Sequence, residues 1–311
     1  MKQKKFLKTA TPYMFIMPWI IGFLVFTIGP LILSLIMSFF DWPITSAPVF
    51  RGFGNYIEMF TSDKQFWKSL VISLKYAAIF VPLNMIIALF LAMLITQPVR
   101  GVKVFRTIFY IPAVISGVAV SIIWGWILNG DYGVLNYLLS LIGIEGPQWL
   151  VDPAWALLAV IIASAFGVGT MMLIFYTDIK NIPIDVYEAA SIDGAGPARK
   201  FFSITLPIIT PTILFNLITS IISSFQQVTL VMLLTGGGPL KSTYFYGLYT
   251  YNNAFKHHKL GYASANAWVM FIIILILTAL VFKSSSAWVF YETEARNGGA
   301  KKSKKKKGGK K

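Results

Sequence analysis

Residues 188–211 read EAASIDGAGPARKFFSITLPIITP, and this stretch decides the fold. It is polar and punctuated by Gly and Pro, yet long apolar segments stand on both sides of it. Just upstream, Pro183 suits the first position of a helix, where its missing N–H has no intrahelical partner to lose. Gly194 suits the end of that helix, in a left-handed conformation. A short helix over 183–193 is therefore expected across the mouth of a helical bundle. Tyr187, Ala190 and Ser191 share one of its faces by three- and four-residue spacing. Small Ala189 and Ala190 would let a second protein approach closely. Pro197 is placed to open another short helix, and Pro207 and Pro211 to open the apolar segment that follows.

The flanks settle the class. The chain has 311 residues, 56% of them hydrophobic and only 13% charged, roughly half the charged share of a soluble domain. Its mean hydropathy is +0.69, and its apolar blocks exceed the ~18 residues that mark a membrane span. Soluble enzyme readings fall away. Six spans are read, at 13–39, 69–95, 105–128, 154–178, 206–234 and 263–288. Each is longer than the ~20 residues that cross a hydrocarbon core, so tilting or kinking is expected. Pro30, Pro82 and Pro112 fall inside spans, where packed neighbours re-satisfy freed backbone groups. No small-residue cleavage site ends the first block, so it reads as a span and not as a removable leader. The chain lacks cysteine, which excludes disulfides, thiolate metal sites and cysteine nucleophiles.

Basic residues set the orientation. Lys2, Lys4, Lys5 and Lys8, then Arg100, Lys103 and Arg106, then Lys180, Arg199 and Lys200, and finally the Lys-rich tail share one side of a six-span chain. The loop 129–153 on the other side has no Lys or Arg. The loop 40–68 mixes Arg51, Lys64 and Lys68 with Asp41, Glu58 and Asp63, and 235–262 carries Lys241, Lys256 and Lys259. The balance puts both termini and the loop 179–205 in the cytoplasm. The net charge of +15 does not indicate nucleic acid, because ten of the 27 basic residues lie between Lys283 and Lys311. That run has no aromatic interleaving and reads as a solvated tail against anionic lipid head groups, at ~1 kcal/mol per basic residue near the surface. The organisation expected is a basic cytoplasmic N-terminus (1–12), a six-span domain (13–290) and a disordered Lys-rich cytoplasmic tail (291–311).

The spaced set Glu188-Ala189-Ala190, Gly194, Ile204, Leu206 and Pro207 resembles the EAA loop of the membrane subunits of bacterial ATP-binding-cassette (ABC) importers. That pattern is Glu-Ala-Ala, three residues, Gly, nine residues, Ile-x-Leu-Pro. Phe53-Gly54-Asn55-Tyr56, Arg106–Pro112, Leu234–Pro239 and Gly261–Ala265 are similar to stretches of the sugar permeases of that family. Together the matches cover most of 13–288. The resemblance implies an all-α polytopic bundle, the six-span permease fold of type I ABC importers, in a bacterial cytoplasmic membrane. It implies a transport subunit and not a catalyst, importing a sugar or oligosaccharide. It also implies partners: a second, homologous permease, two ATPase subunits and an extracytoplasmic sugar-binding protein. The docking element carried over is Tyr187, Glu188, Ala189, Ala190, Asp193, Gly194, Ala195 and Gly196, seated in a groove of the ATPase so that its closure swings the spans. No cofactor is expected on this chain, since ATP and Mg belong to the partner and no G-x-x-x-x-G-K-[ST] is present. Gly236-Gly237-Gly238 reads as a tight external turn.

The family's sugar pocket lies on the spans flanking the loop. By the resemblance the matching positions are Ala163, Phe166, Gly167 and Thr170 before it, and Ser220, Ser223, Ser224 and Gln227 after it. Each set is spaced i, i+3, i+4, i+7, a single stripe on a helix. Lipid would penalise the wholly polar second stripe, so it faces a cavity or a partner. Small hydroxylated residues also hold membrane helices together, and both readings stand at this point. Trp124 and Trp126 suit either stacking on a ring or an interfacial belt. Lys75 is placed to snorkel outward. His257-His258 lacks a third metal ligand. No acidic residue falls mid-span, Asp178 being at a span end, which weighs against an ion-coupled secondary carrier. Glycerol-phosphate, a polyol or another small solute is the alternative cargo.

Overall fold

The computed structural model describes residues 14–43, 46–97 and 100–290. The basic N-terminus and the Lys-rich tail of the sequence reading lie outside these residues. In chain order the helices are α1 (Met14–Met37), α2 (Gly54–Thr61), α3 (Lys64–Thr96), α4 (Val102–Val114), α5 (Gly117–Ile127), α6 (Val134–Leu141), α7 (Pro153–Ala165) and α8 (Gly169–Asn181). They continue as α9 (Ile184–Ile192), α10 (Pro197–Ile208), α11 (Thr210–Phe225), α12 (Thr229–Leu234), α13 (Tyr246–Tyr251) and α14 (Leu260–Trp288). Among the described residues the all-α expectation holds apart from one two-residue antiparallel pair, β1 (Phe40–Asp41) with β2 (Val49–Phe50), and a single bridge between Pro43 and Lys259.

Three helices, α1, α3 and α14, are each long and apolar enough to cross a membrane. The pairs α4/α5, α7/α8 and α10/α11 reach that length only together, across bends of 102°, 50° and 66°. The causes are local. Pro112 removes a donor near the α4 break, and the Ser116 hydroxyl caps α5 by accepting from the Ala119 N–H at 3.4 Å. Pro207 and Pro211 stand on either side of the α10/α11 break at Ile209. In α1 a π-helical turn, Leu24–Ile28, precedes Pro30, the insertion expected where a proline breaks the hydrogen-bond ladder. The loop 129–153 carries a helix of its own, α6, which apolar-block reading passed over.

By residue contact the chain divides into two units. The first is drawn from Met1–Lys68 and Tyr249–Ile272, the second from Ser69–Leu248 and Ile273–Lys311. In the second, Ala88, Ala92 and Ile95 of α3 bury against Met171, Met172, Phe175 and Ile179 of α8. Without water to drive them together, membrane helices depend on such close fit and on small residues at crossings. Gly169 is the tightest example. A Cβ there would lie 2.3 Å from the Phe109 carbonyl oxygen and 2.8 Å from the Tyr110 Cα, so the α4 backbone runs against the start of α8.

In the first unit, Asn55 is 1% exposed and its Nδ2 donates to the carbonyls of Ser38 and Phe40, at 2.9 Å each. The Tyr56 hydroxyl donates to Ser38 Oγ at 2.8 Å. The Asn-Tyr pair thus secures the chain leaving α1, where helix carbonyls lack intrahelical partners. At Gly261 a Cβ would sit 1.9 Å from the Phe40 carbonyl oxygen, so only glycine admits this approach. Asp63 caps α3, its Oδ1 accepting from the N–H groups of Gln65 and Phe66 at 2.7 and 3.1 Å. Its Oδ2 accepts from the Tyr262 hydroxyl at 2.8 Å and from the Tyr249 hydroxyl. Burial pushes the Asp63 carboxyl up, but these hydrogen bonds outweigh it and hold the group below its ordinary 3.8. Burial and the bond to Asp63 push the Tyr249 phenol up.

Two outcomes follow. A carboxyl whose value is depressed on folding adds stability above its unfolded value and loses it as pH falls through the folded one. Asp63→Asn should therefore lower the melting temperature at pH 7, and the gap to the parent should narrow below about pH 4; a gap independent of pH would refute the role of the charge. Gly169→Ala should cost ~1–3 kcal/mol by overpacking against backbone. Gly125→Ala, whose methyl would lie 3.8 Å from Leu234 Cδ1, should not. Thermal denaturation in detergent compares them.

Candidate functional site

The two sequence-predicted stripes converge, but not as stripes on unbroken helices. The first crosses the α7/α8 bend, so Ala163 is on α7, Phe166 and Gly167 fall in the break, and Thr170 opens α8. The second leaves α11 after Phe225, so Gln227 sits in the unwound segment before α12. The continuous fifth span expected over 206–234 is thus three helices. Helical periodicity cannot register an interruption that keeps the composition apolar.

A cavity of about 420 Å³ collects Gly167, Thr170, Ser220, Ser223, Ser224 and Gln227. Its wall also includes residues the sequence reading missed, among them Tyr76, Phe80 and Asn84 of α3, and Asn216 and Thr219 of α11. The available signal was a lone Asn inside each of two apolar runs, FVPLNMIIA and TILFNLIT. The Tyr76 hydroxyl donates to Ser164 Oγ at 2.9 Å and also hydrogen-bonds the Gln227 side chain. Ser223 and Ser224 donate to the carbonyls of Thr219 and Ile221, each at 2.7 Å, which leaves their oxygens as acceptors. Ser223 is exposed to the space, while Ser220 and Ser224 are buried. Ala163 is 1% exposed and belongs to the hydrophobic core. It touches a smaller adjoining cavity of about 230 Å³ with Ile115, Gly117, Gly167, Thr170 and Gln227. Phe166 instead packs edge-on to Trp124, with centroids 5.7 Å apart. Trp126 is exposed, and Lys75 too turns outward.

The polar loop forms its helix, α9, one residue inside the expected start. Pro183 caps it in an extended conformation and Asp193 ends it. Gly194 takes φ +76°. Its N–H donates to the Ser191 carbonyl at 3.0 Å and the Ala195 N–H to the Ala190 carbonyl at 2.9 Å, the paired bonds of a Schellman close. One face of α9 is held by the chain itself. The Tyr187 hydroxyl is 2.8 Å from Thr205 Oγ1, and Lys200 Nζ donates to Ser191 Oγ at 2.6 Å. A cavity of about 480 Å³ lies behind it, between Met93, Ile179, Tyr187, Phe201 and Thr205. The other face is open: Glu188, Ala189, Asp193, Gly194 and Gly196 are exposed, as are Ile184 and Ile192, at 68% and 88%. Pro197 opens α10. At the loop's base Thr212 Oγ1 donates to Asp178 Oδ2 at 2.6 Å, tying α11 to α8.

Residues 84–290 match the family described as binding-protein-dependent transport system inner membrane component. The chain is 44% identical over 286 residues, 91% of this chain and 92% of the relative, to a probable ABC transporter permease protein, YesP, of Bacillus subtilis. It is 34% identical over 249 residues, 79% of this chain and 80% of the relative, to the sulfoquinovosyl glycerol transport system permease protein SmoG of Agrobacterium fabrum. Among solved structures it is similar to a chain of a bacterial alginate ABC transporter in complex with an alginate pentasaccharide-bound periplasmic protein. There the TM-score is 0.79 and the identity 25%, over 90% of this chain and 96% of that one. The chain belongs to this family of binding-protein-dependent transport inner-membrane components, as a permease subunit of an ABC transporter and not an enzyme.

The left-handed close at position 194 is open to test without any partner. A Cβ there meets nothing within 4 Å in this chain, so the cost of Gly194→Val is conformational strain, ~1–2 kcal/mol. Amides of α9 should then exchange roughly 5–30 times faster; unchanged exchange would rule out the proposed close.

Proposed function

We propose that this chain forms half of the translocation path of an ATP-driven, binding-protein-dependent sugar importer. In this reading each bent helix pair is one span, giving six, with both termini and α9 in the cytoplasm. The observation that carries it is the pairing of two features in one folded unit. A cavity with polar side chains in its wall is built where two helices break, and the next loop presents a helix with an open apolar–acidic face. Unpaired Ile184 and Ile192 around Glu188 suit a groove on another protein better than solvent. The Asp178–Thr212 bond joins the helix entering the loop to the helix leaving it, so displacement of α9 would be transmitted to both walls of the cavity. A rigid-body swing of this kind needs only a differential fit of the loop in the two ATPase states. The partners in this proposal are a second permease, two ATPase subunits holding ATP and Mg, and an external sugar-binding protein.

The test is uptake in proteoliposomes containing the chain with those partners. Uptake should require ATP and the binding protein, and uptake persisting without the ATPases would favour an ion-coupled carrier instead. Within the active complex, Gln227→Leu should raise the half-saturation concentration roughly two- to tenfold, the value of one hydrogen bond of ~0.5–1.5 kcal/mol. Loss of assembly with unchanged kinetics in the surviving complex would instead assign Gln227 to helix packing.

A further inference from the structure

Asn84 lies within α3, is 8% exposed and lines the larger cavity. Its side-chain Oδ1 is buried and accepts no hydrogen bond. A buried amide oxygen left without a donor is costly in a nonpolar medium, and Asn84 stands at the cavity wall, where a bound hydroxyl would satisfy it. The same face of α3 carries Tyr76 and Phe80, at i, i+4, i+8 with Asn84. Their rings are stacked with centroids 5.0 Å apart and planes 7° from parallel. Across the space, Asn216 has its Nδ2 committed to the Thr212 carbonyl at 3.0 Å. Among the described residues the lining contains no Lys, Arg, His, Asp or Glu.

Resting on the import reading above, we propose that Asn84 is a specificity-determining acceptor for a sugar hydroxyl, and that this chain's half of the path is built for uncharged sugars. A hydroxyl supplies the proton that Oδ1 lacks. A carboxylate or sulfonate at neutral pH has none to give, and an uncharged wall offers it no counter-ion. Phe80, partly exposed at the cavity wall and backed by the buried Tyr76 ring, supplies an apolar surface for a pyranose ring. The preference would separate this chain from a relative named for sulfoquinovosyl glycerol and from the structural neighbour that carries alginate, an acidic polysaccharide.

The experiment uses the complete transporter in proteoliposomes, with maltose, lactose and trehalose as neutral probes and digalacturonate as the anionic one. ATP-dependent uptake of at least one neutral probe should exceed that of digalacturonate by tenfold or more. At sub-saturating concentration, Asn84→Leu should slow uptake of that sugar roughly three- to tenfold. One monodeoxy form of the sugar should show the same deficit with the parent and no further deficit with the variant, a non-additivity that a packing role would not produce. If Asn84→Leu fails to assemble, Asn84→Ala carries the same expectation. Digalacturonate uptake equal to the best neutral probe, or additive deficits across all deoxy forms, would overturn the assignment. Absence of ATP-dependent uptake of every probe by the parent complex would count against the import reading as well.

Discussion

Hydrocarbon offers no hydrogen bonds, so any break in a helix inside it must be buried in protein or face a cavity. The rest of this architecture depends on that constraint. Breaks at Ile115–Ser116, Phe166–Val168 and Gln226–Val228 each send a residue, Ile115, Gly167 and Gln227, to the wall of one small cavity. Gly167 and Gln227 also line the larger one. The interruptions therefore gather in one place, and their irregular backbone and polar side chains supply groups that a straight apolar helix could not present. Close approach of α4 to α8, permitted by Gly169, brings two of the breaks together.

The loop that carries α9 obeys a different constraint, that of a helix end whose outer face is exposed. The bonds through Gly194 and Ala195 close α9 firmly, and Tyr187 and Ser191 fasten its inner face. What remains outward is short and small, with two isoleucines as the apolar contribution. A rigid element fastened on one side and open on the other suits the transmission of displacement better than a floppy loop would.

Much of this was legible in the sequence. Apolar blocks located every long helix, because a span leaves a signal of ~20 residues. The spaced motif located α9 and its terminating glycine, because Pro and Gly act on the backbone directly. The break at Phe166–Val168 was not legible, since the FGV there carries no proline and remains apolar. Nor was the part of α3 in the cavity. Asn84 shares its face with Tyr76 and Phe80, and only tertiary placement separates a cavity face from a lipid face. Asp63 read as one acidic loop residue among three, because its hydroxyl partners lie 186 and 199 residues away.

That separation bears on how the protein is made. The first unit is discontinuous in sequence, so a ribosome delivers Asp63 long before Tyr249 and Tyr262. At ~5–20 residues per second, the carboxylate spends roughly 10–40 s of synthesis with its cap formed and its phenolic partners still to come. The Phe40 carbonyl likewise waits for Gly261. The second unit's cores, drawn from Tyr76 to Leu248, are complete before the first unit can close. Vectorial synthesis thus completes the cores around the cavity before Asp63 meets its phenolic partners.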